Sequence, residues 1–237
     1  MSEEGRPLRA LLLLHEEESP SGLVGRWLAE RSADVDEVRI DVEDREFDPA
    51  GYDVIASFGS EFPAFDDSKP FVGREARLLR DALDAHVPVL GLCFGGQLLA
   101  RVLGGEVFRA PASEIGWLPV RTNDPELVPE GPWFQWHFDT FTLPPGATLV
   151  AESDVGPQAF VHGRNLGLQF HPEVTPEIMD VWVRAYRHEL DADGVDPDVL
   201  LEETNRRAEA TRRSFDQLLT RYLDTVAGVH VEASGGR

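Results

Sequence analysis

Along the first hundred residues, short apolar runs alternate with stretches whose apolar positions recur every three or four residues. The run Leu8–His15 (LRALLLLH) is apolar at consecutive positions, which predicts a strand buried on both faces. Ser21–Ser32 (SGLVGRWLAERS) predicts a helix with Ser21 as its N-cap. VDEVRI and YDVIASF predict strands, and GREARLLRDALDAH an amphipathic helix. VPVLGL then predicts a strand and GGQLLARVLG a helix stopped by Gly104 and Gly105. This β-α-β-β-α-β-α order predicts an α/β fold with a doubly wound, mostly parallel sheet and helices on both faces.

After Glu106 the pattern changes. EVFRA and GWLPVRT are short β-like pieces among Pro- and Gly-rich turns, and TLVAES, PQAFVHG and LGLQFHP predict extra strands. The last of these feeds PEIMDVWVRAYRHEL, which predicts one helix. DADGVDPD is a turn-rich break, after which Val199–Val226 predicts one long C-terminal helix. Ala208, Thr211, Phe215, Leu218, Tyr222 and Val226 form its apolar stripe. Glu202–Arg206 and Glu203–Arg207 are i,i+4 pairs in the favourable order, so its arginines read as a salt-bridged, solvated face rather than a binding surface. The tail beyond Gly228 reads as loose. These patterns divide the chain into a domain over residues 1–190 and a helical extension over 191–237.

Composition narrows the classes of partner. The 237 residues are 42% hydrophobic and 27% charged, enough apolar surface for a sizeable core. Only 22 basic residues face 43 acidic ones, a formal charge of −21. That balance argues against nucleic acid, which needs basic surface, and against an anionic membrane. The apolar run Ala10–Leu14 is too short for a signal segment or a membrane span. With one cysteine there is no intrachain disulfide, and a cytoplasmic location is expected. No metal-ligand spacing occurs among the seven histidines, and no dinucleotide or phosphate loop is present, so no metal and no cofactor is expected.

The one cysteine, Cys93, lies in Gly91-Leu92-Cys93-Phe94-Gly95, a G-x-C-x-G pattern between a predicted strand and a predicted helix. That is the setting of a nucleophile elbow, where the turning backbone comes too close to its neighbours for a Cβ two residues either side. The thiol would stand at the carboxyl end of the sheet, where such folds bind ligands, and at a helix N-terminus that favours a thiolate. A small buried cysteine packed beside glycines has the same local sequence. The position at a strand–helix junction favours the nucleophile. LGLQFHPEV supplies partners: His171 and Glu173 are i and i+2 on an extended segment stiffened by Pro172. A carboxylate beside an imidazole keeps one ring nitrogen protonated and leaves the other to take the thiol proton. Cys93, His171 and Glu173 thus read as nucleophile, base and orienter.

GLCFGGQLLARVLGG and GLQFHPEV closely resemble the class I, triad-type glutamine amidotransferase family. The resemblance runs from Leu8 to Tyr186, about three-quarters of the chain. It implies a flavodoxin-like fold and a cysteine that attacks the glutamine side-chain amide, releasing ammonia and leaving a γ-glutamyl thioester for water. It carries the catalytic roles to Cys93, His171 and Glu173. SFGSEF falls where the family has a glycine-rich oxyanion loop, which makes the Gly59 N–H a donor beside that of Phe94. The family usually has two glycines and a proline there, whereas Phe58 and Ser60 flank one glycine here. The resemblance also implies substrate contacts for Gln97, and for Trp136 and His137 in QWHFDTFTLPPG. SEIGW, Ser113 to Trp117, resembles another wall of that pocket. Trp133, Phe134 and Trp136 read equally as an aromatic core strand.

Two substrates compete. Free glutamine implies an ammonia-producing subunit with a separate ammonia-accepting synthase as partner, and the motifs resemble the amidotransferase part of GMP synthase. A γ-glutamyl amine or peptide implies an independent hydrolase. A non-catalytic binding or regulatory role is disfavoured by the intact triad. A thiol esterase of the α/β-hydrolase type is disfavoured by His171-Pro172-Glu173, because its acid precedes its histidine along the chain.

Overall fold

The first strand, β1 (Arg9–Leu14), is buried along most of its length, and its two faces enter different cores. In this computed structural model, which describes residues 6–229, Leu12 and Leu14 pack in one cluster and Leu11 and Leu13 in another. The consecutive leucines are explained by this placement, since alternate residues of a strand point to opposite faces.

β1 sits inside an eight-stranded sheet. Parallel pairings join it to β2 (Asp34–Arg39) and β3 (Val54–Ser57), β3 to β4 (Val89–Leu92), and β4 to β10 (Asn165–Leu168). Beyond β10 the sheet continues antiparallel through β9 (Pro157–His162), β8 (Thr148–Glu152) and the short β6 (Arg121–Thr122). On one face α1 (Gly22–Glu30) packs with the C-terminal part of α6 (Pro197–Arg221). On the other lie α2 (Pro70–Asp84) and α3 (Phe94–Val102). The fold is a mostly parallel, doubly wound α/β sheet with added antiparallel strands. No helix among the described residues is long and apolar enough to cross a membrane.

The chain from Val107 differs from its sequence pattern. EVFRA and the start of GWLPVRT belong to one long strand, β5 (Val107–Leu118), which pairs antiparallel with β7 (Trp133–Phe141) as a second sheet. Its register shifts between Arg109 and Glu114, which hides the strand's alternation. β5 stops before Pro119, which has no N–H for a ladder. The segment predicted as one helix is two, α4 (Pro176–Ala185) and α5 (Arg187–Asp193), broken at Tyr186, whose backbone leaves the helical region at φ −108°, ψ 27°. Ser21 precedes α1 but does not cap it: its hydroxyl bonds the Glu37 carboxylate, and the Leu23 N–H donates to the Glu173 carbonyl at 2.9 Å.

The long helix starts at Pro197 and widens into a π-helical turn at Tyr222–Ala227. Thr211, Phe215, Leu218 and Tyr222 of its expected stripe are buried. The widened turn adds Leu223 and Ala227 to the same cluster as the sheet. Arg207 pairs with Glu203 as expected, but Arg206 turns to Glu203 at 3.4 Å, so the pair with Glu202 does not form; i,i+3 neighbours also share a helix face. Arg212 reaches Glu30, and Arg221 reaches Glu126. Residues 230–237, where the tail reads as loose, lie outside the described residues.

Candidate active site

β4 delivers Cys93 to the carboxyl edge of the sheet, and α3 begins one residue later. Cys93 has φ 51° and ψ −108°, a conformation an L-residue adopts only under constraint, at a cost of roughly 1–3 kcal/mol. The constraint is visible. Cys93 N–H donates to the Leu168 carbonyl at 2.9 Å, and Gly95 N–H donates to the Phe58 carbonyl at 3.0 Å. A Cβ on Gly91 would stand 2.5 Å from the Gly95 carbonyl oxygen, and one on Gly95 would stand 2.1 Å from that of Ser57. The glycines of G-x-C-x-G are the spaces through which α3 reaches the strands beside it.

β10 brings the other candidates. The chain leaves the sheet after Leu168 and crosses to the second sheet, where His171 N–H donates to the Phe134 carbonyl at 2.8 Å. His171 Nδ1 lies 2.8 Å from Glu173 Oε1, and both side chains are almost fully buried. With Nδ1 committed, Nε2 is the ring nitrogen left for the Cys93 sulfur. Burial lowers the His171 pKa, but the charges of Glu173 and Cys93 and their hydrogen bonds outweigh it and raise it well above the ordinary value. The Trp182 ring packs edge-on at 5.0 Å and fixes the imidazole plane. Cys93, His171 and Glu173, distant in sequence, therefore meet at one point. The second carboxylate oxygen, Glu173 Oε2, is buried with no hydrogen-bond partner among the described residues.

These residues open onto a cleft of about 130 Å³. Gly59, Phe94, Gln97, Trp136 and His137 all line it, as do Glu16, Glu61 and Arg109. A Cβ on Gly59 would lie 2.9 Å from His171 Cε1, which puts this glycine directly against the imidazole. Trp136 contributes its backbone carbonyl, 3.9 Å from Cys93 Sγ, while its indole N–H donates to Glu189 at 2.6 Å. His137 Nδ1 is 3.0 Å from the Asp139 carbonyl. Its Nε2 is 3.1 Å from Glu114 Oε2 but off the line a hydrogen bond needs. Gln97 spends both amide hydrogens on the protein, on the Asp139 carbonyl at 3.1 Å and Gln169 Oε1 at 3.2 Å. Its Oε1 is the group left to accept from a ligand.

Other placements differ from the sequence reading. Ser113–Trp117 does not form a wall of the cleft: Ser113 bonds Asp193, and the Trp117 indole donates to Thr204 at 3.0 Å. The bulge in β5 turns this segment toward α5 and α6. Trp133 and Phe134 are core, Trp133 stacking on Phe170 at 4.8 Å, whereas Trp136 reaches the cleft.

Three residues not singled out in the sequence also belong here. Gln169 Nε2 is 3.8 Å from Cys93 Sγ; it stands two before His171, and same-side alternation is the signal that points to it. Glu16 accepts from Ser60 Oγ at 2.9 Å and from the Glu61 N–H at 2.7 Å, and burial pushes its carboxyl pKa up. His15 directly follows the first strand and touches the loop of Gly59 from behind, at 2.9 Å from the Gly59 carbonyl.

The family model "Glutamine amidotransferase class-I" matches residues 18–183. The chain belongs to the class-I glutamine amidotransferase family. A crystal structure of a glutamine amidotransferase from Thermotoga maritima superposes with a TM-score of 0.85 at 32% identity, covering 93% of this chain and all of that one. The glutamine amidotransferase-like protein YfeJ of Salmonella typhimurium is 26% identical over 243 residues, 94% of this chain and 99% of its own length. The glutamine-hydrolysing GMP synthase of Vibrio vulnificus is 33% identical over 153 residues, 61% of this chain. This chain spans only 27% of that synthase's length.

Proposed function

We propose that the protein hydrolyses the γ-amide of glutamine or of a γ-glutamyl compound through a thioester on Cys93. The observation that carries the reading is the ordered contact of His171 with Glu173 beside a cysteine on a strained elbow. In the first half-reaction His171 Nε2 takes the thiol proton, the sulfur bonds to the amide carbon, and electrons move to the carbonyl oxygen. The N–H groups of Gly59 and Phe94 receive that oxyanion; losing one such donor costs about 3 kcal/mol. His171 then gives its proton to the leaving nitrogen, the C–N bond breaks, and ammonia or an amine departs. Water, activated by His171, cleaves the thioester to release glutamate. Arg109, 3.7 Å from Asp139 across the cleft wall, offers a pair of opposite charges suited to an amino-acid head group.

Free glutamine is the first reading, with the ammonia passed to a separate synthase subunit. The second, a γ-glutamyl amine or peptide, is supported by the acidic lining of the cleft. Glu16, Glu61 and Glu189 line it, and carboxylates suit a substrate whose leaving group carries a cationic amine. An amine- and ammonia-release assay over a panel of glutamine and γ-glutamyl compounds separates the two. Cys93→Ala is expected to abolish release from whichever substrate is used, and full activity in that variant would sink the mechanism.

A further inference from the structure

A buried imidazole outside the triad has a position that packing alone does not explain. His15 and Glu75 have fully buried side chains, with His15 Nε2 2.7 Å from Glu75 Oε2. Glu75 Oε1 also accepts from Ser57 Oγ at 2.5 Å. The residue after β1, the last residue of β3 and α2 therefore each send one polar group to a point under the loop that follows β3. Burying a titratable pair is costly, and an apolar pair of similar volume often serves stability as well. The free end of the network is His15 Nδ1, 2.9 Å from the Gly59 carbonyl. A carbonyl only accepts, so Nδ1 carries the hydrogen whichever partner holds the proton between Nε2 and Glu75.

Gly59 needs this contact because of what it is. Glycine is free in both backbone dihedrals, whereas an oxyanion donor is effective only when it is fixed before the charge arrives. The plane of the peptide before Gly59 is fixed by its carbonyl, since Phe58 O accepts from Gly95 N–H at 3.0 Å. The plane of the peptide after it is fixed by His15. In a trans peptide the N–H points opposite the carbonyl. Tying both carbonyls back into the protein turns the amides of Gly59 and Ser60 the other way, and both residues line the cleft. The His15 ring also packs edge-on against Phe94 at 4.6 Å, the residue that offers the second donor.

We infer that His15, held by Glu75, is the positioning residue of the oxyanion loop: by pinning the Gly59 carbonyl it aims the Ser60 N–H, the other end of the same peptide, at the acyl oxygen beside the Gly59 N–H. The inference rests on the reading that Cys93 attacks an amide, and the test keeps the two apart.

His15→Asn places an amide nitrogen near the Nδ1 position and keeps a donor for Gly59. His15→Gln places it near the Nε2 position, keeps a partner for Glu75 and loses Gly59. Both variants leave a polar group in the buried site. For each, kcat and KM of ammonia or amine release are measured on the best substrate of the wild type, together with the rate at which iodoacetamide alkylates Cys93. Alkylation displaces iodide from a saturated carbon and forms no oxyanion, so it reports the thiol and the triad alone. His15→Gln is expected to lower kcat about 10²–10³-fold, the loss of one oxyanion donor, with KM and alkylation close to wild type. His15→Asn is expected to retain most of kcat. A kcat unchanged in His15→Gln, the opposite order of the two variants, or alkylation falling in parallel with kcat would each overturn the assignment. A wild-type protein that releases nothing from any γ-glutamyl amide overturns the functional reading itself, a result the wild-type arm alone reveals.

Discussion

His171 Nδ1 and Glu173 Oε1 stand 2.8 Å apart across a single proline, on a segment whose backbone has just crossed from one sheet to the other. The carboxylate decides which ring nitrogen faces the sulfur. Glu173→Gln preserves size but can present an amide N–H to Nδ1, favouring the wrong tautomer. A fall in kcat of about 10³–10⁴-fold is expected, with the fold intact, by analogy with the loss of the orienting acid in serine-protease triads. Steady-state kinetics with circular dichroism on the same sample checks this, and a loss below tenfold would remove Glu173 from the triad.

The same pair sets a pH dependence of stability. Burial lowers the His171 pKa, but Glu173 and then Cys93 raise it above the ordinary 6.5. A raised value means that folding favours the protonated ring. This stabilisation is complete below the unfolded value of 6.5 and is lost as pH climbs through the higher folded value. The urea midpoint of the wild type is expected to fall more steeply above neutral pH than that of Glu173→Gln, in which the carboxylate charge is absent. Parallel curves would contradict the assignment.

Gly59 gives a steric prediction. In Gly59→Ala the new methyl would meet His171 Cε1 at 2.9 Å, so either the ring or the loop must move. A drop in kcat of about 10²-fold or more is expected, because both the base and an oxyanion donor shift. Thermal unfolding should change little. A variant with wild-type kcat would show that this loop tolerates displacement and does not define the site.

The C-terminal helix can be tested as part of the core. Phe215 is 1% exposed and packs in the cluster that contains β1 and α1. Phe215→Ala is expected to cost about 3–5 kcal/mol in urea unfolding, as for other fully buried aromatic residues. A cost under about 1 kcal/mol would mean that residues 191–237 form an appendage separable from the sheet.

Much of this was legible in the chain because the chemistry depends on local geometry. The G-x-C-x-G turn must admit the close approach of α3 to β3, and only residues without a Cβ do so. The i, i+2 spacing of His171 and Glu173 puts both on one side of an extended segment. Consecutive leucines in β1 announced a strand covered on both faces. The failures have physical causes as well. The bulge in β5 broke the alternation by which one strand would be recognised, and it turned Ser113–Trp117 away from the cleft. Ser21 looked like a cap, but its backbone is already helical (φ −64°, ψ −10°), so its hydroxyl oxygen does not reach a free N–H of the first turn and its O–H donates to the Glu37 carboxylate instead.

The sequence by itself determined the class of fold, the elbow, and the candidates for nucleophile, base and acid, because each rests on a periodicity or a spacing within a few residues. Only the tertiary structure decided which groups surround them. Gln169 at the sulfur, Glu16 under the loop and His15 behind Gly59 are contacts between segments that follow strands far apart in the chain. A hydrogen bond across such a distance leaves no periodic trace, since it is made by the register of the sheet and not by the residues next to it.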